Sequence, residues 1–351
     1  MALSDAKSVA MRPNPAHTAV LFGIKLPMWN LYLTVIGIAA ALVLPFVVEG
    51  FTVFQLTQAL VYAIAVLGLN LLTGFNGQFS LGHSAFYALG AYTAAIMVER
   101  YEVAFYWTIL PAGIICFIGG FLFGLPALRL EGLFLALATF ALAVATRQLL
   151  RYEHFEGFTG GVQGIDLFKP DSPIEFLGGD QWLYFVVLVC GALLVVGAWN
   201  LTRGRTGRAI MAIRDNPLAA RTMGINTSLY KSVTFGVSGF YTGIAGALGA
   251  AVAEFVAPDS FTFFLSVWLL VGMVIGGLGS IPAAIVGGLF ILYVPNISEA
   301  LIGQVFGDDP SAKALIGVAF GCFLIFAVYV MPNGLAGFVR WFVARYSRPG
   351  I

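Results

Sequence analysis

Long apolar runs separated by short polar stretches make up most of this chain. Each run holds about 20 residues, the length at which a helix crosses the hydrocarbon core of a bilayer. The runs fall at 29–48, 53–74, 83–98, 105–128, 132–150, 182–200, 232–254, 263–278, 283–303 and 313–331. The pattern predicts an all-α, polytopic membrane protein with about ten transmembrane helices, of which the short runs 83–98 and 263–278 are the weakest.

Composition agrees with this class of protein. Hydrophobic residues make up 60% of the chain and charged residues only 10%, whereas a soluble domain has about 25% charged residues. The net charge of +1 and the lack of a basic tail argue against a nucleic-acid partner and leave the lipid bilayer as the expected surroundings.

The distribution of charge gives the chain an orientation. Because Lys and Arg are enriched in cytoplasmic loops, the basic loop 201–231 is expected inside and the acidic connection 152–181 outside. Ten crossings then place both termini in the cytoplasm. A leader, 1–28, and a tail, 336–351, would flank a transmembrane domain, 29–335.

A short helix is specified inside the basic loop. Asp215 or Asn216 can cap its first N–H groups, and Pro217 fits the first helical position. Gly224 supplies a left-handed stop, and Ile225 can pack back onto the last turn. A two-turn helix on the cytoplasmic face is typical of a docking element for another protein. The candidate coupling residues are Arg208, Arg214, Asp215, Pro217, Ala219, Ala220, Arg221 and Gly224.

Another feature interrupts an apolar run with glycine, amide and hydroxyl side chains. Non-helical backbone at membrane depth is tolerated only where protein or a water-filled cavity satisfies it. One interpretation is a broken or re-entrant segment that lines a solute pathway. The other is an ordinary cytoplasmic turn in which Ser80 or His83 caps the next span. The residues concerned are Asn70, Thr73, Asn76, Gly77, Gln78, Ser80 and His83.

A similar interruption follows the eighth apolar run. Both contain a G-x-x-G step, from Gly74 to Gly77 and from Gly276 to Gly279. Paired glycine or proline interruptions in the two halves of a transporter point to its translocation site, so Gly276, Gly279 and Ser280 join the candidate pathway. Glycine is frequent throughout the chain, which leaves open whether the two interruptions are an internal repeat.

Small residues also recur at helical spacing. Gly239, Gly243 and Gly246 fall on one face of a predicted helix. The pattern is typical of a close crossing of two helices in lipid and not of a solute contact.

The sequence lacks the signatures of catalysis and of independent energy coupling. It has no G-x-x-x-x-G-K-[ST] loop for a nucleotide, and no carboxylate lies near the middle of a predicted span. The cysteines Cys116, Cys190 and Cys322 lie apart in apolar runs, and no second ligand accompanies His83. We therefore expect no catalytic residue, no metal site and no cofactor, but a transport subunit that a partner drives.

Together these residues resemble the permease subunits of the high-affinity branched-chain amino acid (Liv-type) ABC importers, in particular the M-type subunit. The resemblance covers most of residues 60–335. It rests on 67–93 with G-x-x-G-Q-x-S-L-G-H, 207–249 with G-R-A-I-x-A-I-R-D-N and A-A-x-x-x-G-I-N, 258–288 with V-I-G-G-L-G-S-I-P, and the closing pattern Met331-Pro332-Asn333-Gly334-Leu335.

The resemblance implies an inner-membrane subunit that works with a second, homologous permease, two cytoplasmic ATPases that bind ATP, and a periplasmic solute-binding protein. The short cytoplasmic helix would then be the coupling helix of ABC permeases, matched by Ala219, Ala220 and Gly224. An acidic residue often precedes the two alanines in such permeases. Here Leu218 occupies that position, so no salt bridge to the ATPase is expected from it.

The implied solute is a branched-chain or related hydrophobic amino acid. Relatives in the same family carry urea or short amides, and this alternative stays open. An ion-coupled secondary carrier is a further alternative, against which the capped docking helix and the lack of intramembrane carboxylates both argue.

Overall fold

The computed structural model describes residues 18–21, 24–130, 132–170, 172–173 and 176–306, with the single positions 321, 329, 334, 335 and 337. Two compact units divide the chain after Val53. In the first, strands β1 (Thr18–Leu21) and β2 (Ile24–Pro27) form an antiparallel hairpin, and helix α1 (Met28–Val47) follows.

Helices make up nearly all of the second unit's described residues. Helix α2 (Gly50–Leu69), which begins before the division, continues as a π-helical turn, Asn70–Phe75. The helices after it are α3 (His83–Tyr101), α4 (Phe105–Ala127), α5 (Leu133–Leu150), α6 (Glu153–Thr159), α7 (Gly179–Arg203), α8 (Arg205–Asp215), α9 (Pro217–Thr222), α10 (Thr227–Ala253), α11 (Phe263–Gly276) and α12 (Ala283–Phe306). Two-residue strands β3 (Ile165–Asp166) and β4 (Phe255–Val256) pair with each other, and a 3-10 turn, Pro258–Ser260, precedes α11.

The helices follow the predicted spans closely. Each predicted span from 29–48 to 283–303 contains a helix, including the short runs 83–98 and 263–278. The last, 313–331, lies almost wholly outside the described residues. Of the helices described, six are long and apolar enough to cross a membrane. They comprise α2 with its π turn, α4, α5, α7, α10 and α11 with its 3-10 turn. The prediction of an all-α, polytopic membrane protein is confirmed, and the number of ten crossings stays a prediction.

The sequence did not predict the strands. β1 and β2 lie in the segment 1–28 that we assigned to a leader, although Thr18, Val20 and Ile24 are β-branched residues that suit an extended chain. β3 and β4 lie far apart in the sequence and are only two residues each. No periodic pattern can reveal such short strands.

Helix α10 forms the centre of the second unit and packs against α4 and α3. In its most apolar window, 89% of the residues are buried. Glycine makes this possible, because a Cβ built on Gly246 would lie 2.0 Å from the carbonyl oxygen of Tyr87. A Cβ built on Gly239 would lie 2.5 Å from the carbonyl oxygen of Cys116. The predicted close crossing along the glycine face of this helix is confirmed.

The connections between helices gather at the two ends of this unit. At one end, the turn after Asn70–Phe75, the segment α8–α9 and the loop between α11 and α12 lie together. At the other end, the Nζ of Lys169 lies 2.7 Å from both Asp180 Oδ1 and Glu254 Oε1, beside the β3–β4 pair. Alternating crossings of the predicted spans require this grouping.

We expect Gly90→Ala to lower the free energy of unfolding by about 1–3 kcal/mol, because added volume in a tightly packed core forces neighbours apart. The new Cβ would lie 2.1 Å from the carbonyl oxygen of Gly243 on α10. Thermal unfolding of the purified protein in detergent measures the effect. Gly157→Ala is the control, since a Cβ there meets nothing within 4 Å. Equal melting temperatures for the two variants would contradict this account of the α3–α10 crossing.

Candidate functional site

The first interruption begins as the π-helical turn at the end of α2. Such turns occur frequently at functional sites. Gly77, with a φ of +74°, then reverses the chain in the left-handed region that glycine adopts without strain. Helix α3 begins at His83. The polar side chains of this segment are nonetheless buried, namely those of Asn70, Asn76, Gln78, Ser80 and His83.

Asn70 joins the two interruptions directly. Its Nδ2 donates to the carbonyl oxygen of Ser280 at 2.8 Å, and its Oδ1 accepts from the N–H of Gly279 at 2.9 Å. Asn70 is 1% exposed, so both bonds form where an unpaired polar group would be costly. The structure thus brings together two segments that the sequence separates by some 200 positions.

The second interruption is the loop between α11, which ends at Gly276, and α12. Gly277 and Gly279 both have positive φ angles, +124° and +68°. The closing pattern of the sequence reaches the same place, because a Cβ built on Gly334 would lie 2.6 Å from the Cα of Gly277. We use "the junction" for residues 70–83 and 277–282 together with Arg214, whose contacts follow below.

Both ring nitrogens of His83 have partners. Nδ1 lies 3.1 Å from Ser80 Oγ, and Nε2 lies 2.7 Å from Ser238 Oγ. Since Ser238 Oγ donates to the carbonyl oxygen of Gly68 at 2.6 Å, it accepts from His83, which assigns the ring proton to Nε2. His83 is thus hydrogen-bonded at the start of α3. The alternative in which Ser80 or His83 caps this helix is wrong, however, because the N-cap residue is Gly82 and neither of these side chains caps the first turn. Among the residues described, no cluster of metal-ligating side chains occurs.

Two polar contacts of the junction were missed from the sequence. Ser266 of α11 accepts from the N–H of Ser84 in the first turn of α3 at 2.8 Å. Thr139 of α5 accepts from the N–H of Leu81 at 2.9 Å. Each is a single hydroxyl within an apolar run, and its position on the helix face gave no signal of the neighbour that it meets.

The remaining predicted pathway residues lie in the turn itself. Thr73 Oγ1 donates to the carbonyl oxygen of Gln78 at 2.9 Å. Asn76 Nδ2 donates to Gln78 Oε1 at 2.6 Å. Asn76 Oδ1 is buried and has no hydrogen-bond partner within the described part of the chain. Its acceptor capacity is therefore unused by the described residues in this arrangement of the turn.

Helix α9 begins as the sequence predicted. Asn216 Oδ1 accepts from the N–H groups of Leu218 and Ala219 at 3.1 and 3.0 Å, and Pro217 occupies the first helical position. Asp215, the other candidate for the cap, instead pairs with Arg214 at 3.0 Å.

The end of α9 also follows the prediction. Gly224 has a φ of +81°. Its N–H donates to the carbonyl oxygen of Arg221 at 3.0 Å, and the N–H of Ile225 donates to that of Ala220 at 3.1 Å. These two bonds define a Schellman motif. Arg221 Nε also donates to Thr227 Oγ1 at 2.9 Å, which ties α9 to the first residue of α10.

Two large apolar side chains are exposed on α9 and at its C-cap. Leu218 is 72% exposed and Met223 is 82% exposed, whereas Ala220 is buried against the rest of the chain. Arg208 of the preceding helix is exposed, and its Nη1 donates to the carbonyl oxygen of Arg203 at 3.2 Å. A rigid, capped helix with exposed apolar side chains and nearby positive charge is suited to contact another protein.

Arg214 links this cytoplasm-assigned segment to the junction. Its Nη1 donates to the carbonyl oxygen of Gly74 at 3.0 Å, and its Nε donates to Asp215 Oδ1 at 3.0 Å. Arg214, a predicted coupling residue, thus contacts the segment that contains the predicted pathway residues.

Paired interruptions of apolar helices in a helical membrane bundle point to a transport protein. A family model described as "Branched-chain amino acid transport system / permease component" matches residues 51–331. The chain belongs to this family of transport permeases, and the predicted resemblance is confirmed.

Curated relatives agree with the family. The high-affinity branched-chain amino acid transport system permease protein LivM of Salmonella typhimurium is 34% identical over 294 residues, 77% of this chain and 68% of that protein. LivM of Escherichia coli is 35% identical over 273 residues, 71% of this chain and 64% of that protein. LivH of Salmonella typhimurium is 24% identical over 295 residues, 79% and 91% of the two chains. No solved structure matches the chain significantly.

Replacing Asn70 with Asp tests the amide bridge. Asn70→Asp keeps the acceptor for the N–H of Gly279 but loses the donor to Ser280 and places a carboxylate beside a carbonyl oxygen. We expect a loss of about 1–3 kcal/mol in the free energy of unfolding, the cost of an unsatisfied buried polar group. Thermal unfolding in detergent measures it, with the exposed Asn200→Asp as control. A melting temperature as high as that of the control would show that the bridge is dispensable.

Proposed function

We propose that this chain is an inner-membrane permease subunit of an ABC importer for branched-chain or related hydrophobic amino acids. Membership in the permease family supports the class of protein. The observation that carries the mechanism is the contact of Arg214 with Gly74, which connects α8, the helix that directly precedes the capped helix α9, to the first interruption. The names of the relatives favour a branched-chain amino acid over urea or a short amide as the solute.

In this proposal the chain crosses the membrane ten times, and both termini lie in the cytoplasm. The basic segment α8–α9 and the junction then face the cytoplasm, as the positive-inside rule expects. The β3–β4 pair and the cluster around Lys169 face the periplasm, where the solute-binding protein delivers its ligand. Contacts within each end support this frame, because they join loops that alternating crossings place on the same side.

Energy reaches the pathway through α9. Two cytoplasmic ATPases bind ATP, and one of them contacts the exposed Leu218 and Met223 of this helix. Caps at both ends make α9 rigid, and its bond from Arg221 to Thr227 leads into α10, the central helix of the unit. Closure of the ATPases therefore displaces α10 and the helices packed against it.

The solute passes between this chain and a second, homologous permease. An amino acid is a zwitterion and has no net charge. Uncharged amide and hydroxyl side chains can therefore line its path through the membrane, and no ionised side chain needs to be buried there. Asn76 Oδ1, buried and unpaired within the described residues, is suited to accept a hydrogen bond from the solute's ammonium group. The protein makes no covalent bond in this process.

Co-purification tests the proposed function. The tagged chain, solubilised from native membranes in a mild detergent, is expected to bring with it a second permease and ATPases with phosphate-binding loops. Reconstituted into liposomes with the binding protein, this complex should take up labelled leucine only when ATP is present on the ATPase side. Recovery of the chain alone, still able to move leucine without ATP, would replace the importer by a secondary carrier.

Gly224→Val is expected to uncouple ATP hydrolysis from uptake while the chain still inserts into the membrane. The left-handed conformation costs a residue with a Cβ about 1–2 kcal/mol, and more when it is β-branched. Because a Cβ at Gly224 meets nothing within 4 Å, the effect arises from the backbone alone. The measurement is leucine taken up per ATP hydrolysed.

The control is Gly224→Asn, because Asn tolerates the left-handed conformation that the residue adopts at a φ of +81°. Its uptake ratio should stay close to that of the native protein. If the Val variant took up as much leucine per ATP as the native protein, the C-terminal stop of α9 would have no role in coupling.

A further inference from the structure

The Arg214 side chain lies at the meeting point of three segments. Its Nη1 donates to the carbonyl oxygen of Gly74 in the π turn. A Cβ built on Gly77 would lie 2.8 Å from Cγ of Arg214. A Cβ built on Gly279 would lie 3.7 Å from its Nη1 and 3.5 Å from the carbonyl oxygen of Gly74. Glycine at position 77 thus gives the arginine room beside the first interruption, and Gly279 of the second interruption lies at contact distance from its guanidinium.

The backbone of the π turn makes such a donor necessary. The last carbonyl groups of a helical segment have no partner within it. At Gly74, the Arg214 guanidinium supplies a charge-assisted donor, the stronger kind of hydrogen bond. Asp215 accepts from the other side of the same guanidinium at 3.0 Å and orients it. The planar fork of an arginine directs separate N–H groups to both acceptors in a fixed geometry, which the single ammonium group of a lysine does not provide.

Arg214 and Arg205 lie on opposite sides of α8. The two residues are half a turn out of phase on the helix, because nine residues correspond to about 900° of rotation. Arg205 lies on the exposed side. Arg214 reaches inward to the π turn, although 38% of its side chain stays accessible. Arg214, although it is also exposed, makes its hydrogen bonds to Gly74 and Asp215 within the chain.

We propose that Arg214 is a positioning residue that latches the junction closed. This proposal rests on the proposed function. Asn70 holds the π turn against the loop 277–282, and Arg214 holds the same turn against α8. Movement of α8 and α9 by the ATPases withdraws the guanidinium from Gly74, and the cytoplasmic end of the pathway can then open. The latch makes this opening depend on the ATPases.

Accessibility of a buried thiol tests the latch without any transport measurement. Ile281 is 6% exposed within the loop 277–282. Ile281→Cys is introduced into the full chain, with its partners, in a background from which Cys116, Cys190 and Cys322 have been replaced. Inverted membrane vesicles without ATP are treated with a membrane-impermeant maleimide. In this background, Arg214→Gln is expected to raise the labelling rate about tenfold, the shift that follows the loss of one charge-assisted hydrogen bond.

Arg205→Gln is the matched control and removes the same charge from the same helix. It should leave the labelling rate unchanged. Arg214→Lys keeps the charge but not the fork, and a rate between those of the native chain and Arg214→Gln is expected. This variant also keeps the test decisive if Arg214→Gln does not accumulate. Labelling of Arg214→Gln and Arg214→Lys at the rate of the control would overturn the latch.

A second readout separates a latch from a merely structural bond. In liposomes, Arg214→Gln should still bind the ATPases and hydrolyse ATP, but leucine uptake per ATP should fall about tenfold. Uptake per ATP equal to that of Arg205→Gln would overturn the latch while leaving the importer intact. If the native complex did not use ATP for uptake, the proposed function would be wrong. The labelling experiment would still test the contact of Arg214 by itself, because it measures no transport.

Discussion

Backbone that leaves the helix inside a membrane protein must find hydrogen-bond partners in the protein, because lipid offers none. The junction shows how this chain meets that requirement. One asparagine side chain satisfies an N–H and a carbonyl group of the loop 277–282, and one arginine satisfies a carbonyl group of the π turn. All three bonds join segments that are distant in the sequence. Any movement that separates the segments must therefore break them, which makes the junction suited to two discrete arrangements.

The close packing of α10 allows such a movement to be transmitted between helices. Its glycines bring the backbones of α3 and α4 so near that the helices cannot slide without separating. Interiors packed in this way transmit displacement instead of absorbing it. His83 and Ser238 tie the start of α3 to α10, and Arg221 ties α9 to the beginning of α10. The docking helix, the central helix and the junction are thus connected through few bonds, each with a named donor and acceptor.

Local signals in the sequence predicted local structure well. The caps of α9 could be named from Asn216, Pro217 and Gly224, because each residue type matches a backbone position through its own chemistry. The helices followed from apolar runs of the length of a bilayer, and the α10 crossing followed from its glycine spacing.

Contacts between distant segments could not be predicted in this way. Asn70 was expected to line a pathway, but nothing in the sequence around it predicted a hydrogen bond to Ser280. Arg214 was predicted as a coupling residue of the basic loop, and nothing in the sequence indicated that its guanidinium would donate to Gly74. Ser266 and Thr139 were missed altogether, because a single hydroxyl residue in an apolar run forms no periodic pattern. Each of these depends on how helices meet, which a periodic pattern in one helix does not contain.

The most direct test of this account is a distance measurement across the junction. Spin labels at Phe79 and Leu278, which are exposed and lie in the two interruptions, would be placed in the complete complex without native cysteines. Pulsed electron resonance would compare the complex without nucleotide and with ATP bound to ATPases that cannot hydrolyse it. The account predicts that ATP shifts the distance distribution between the labels. Identical distributions in both states would contradict the claim that the junction is the part of the permease that the ATPases move.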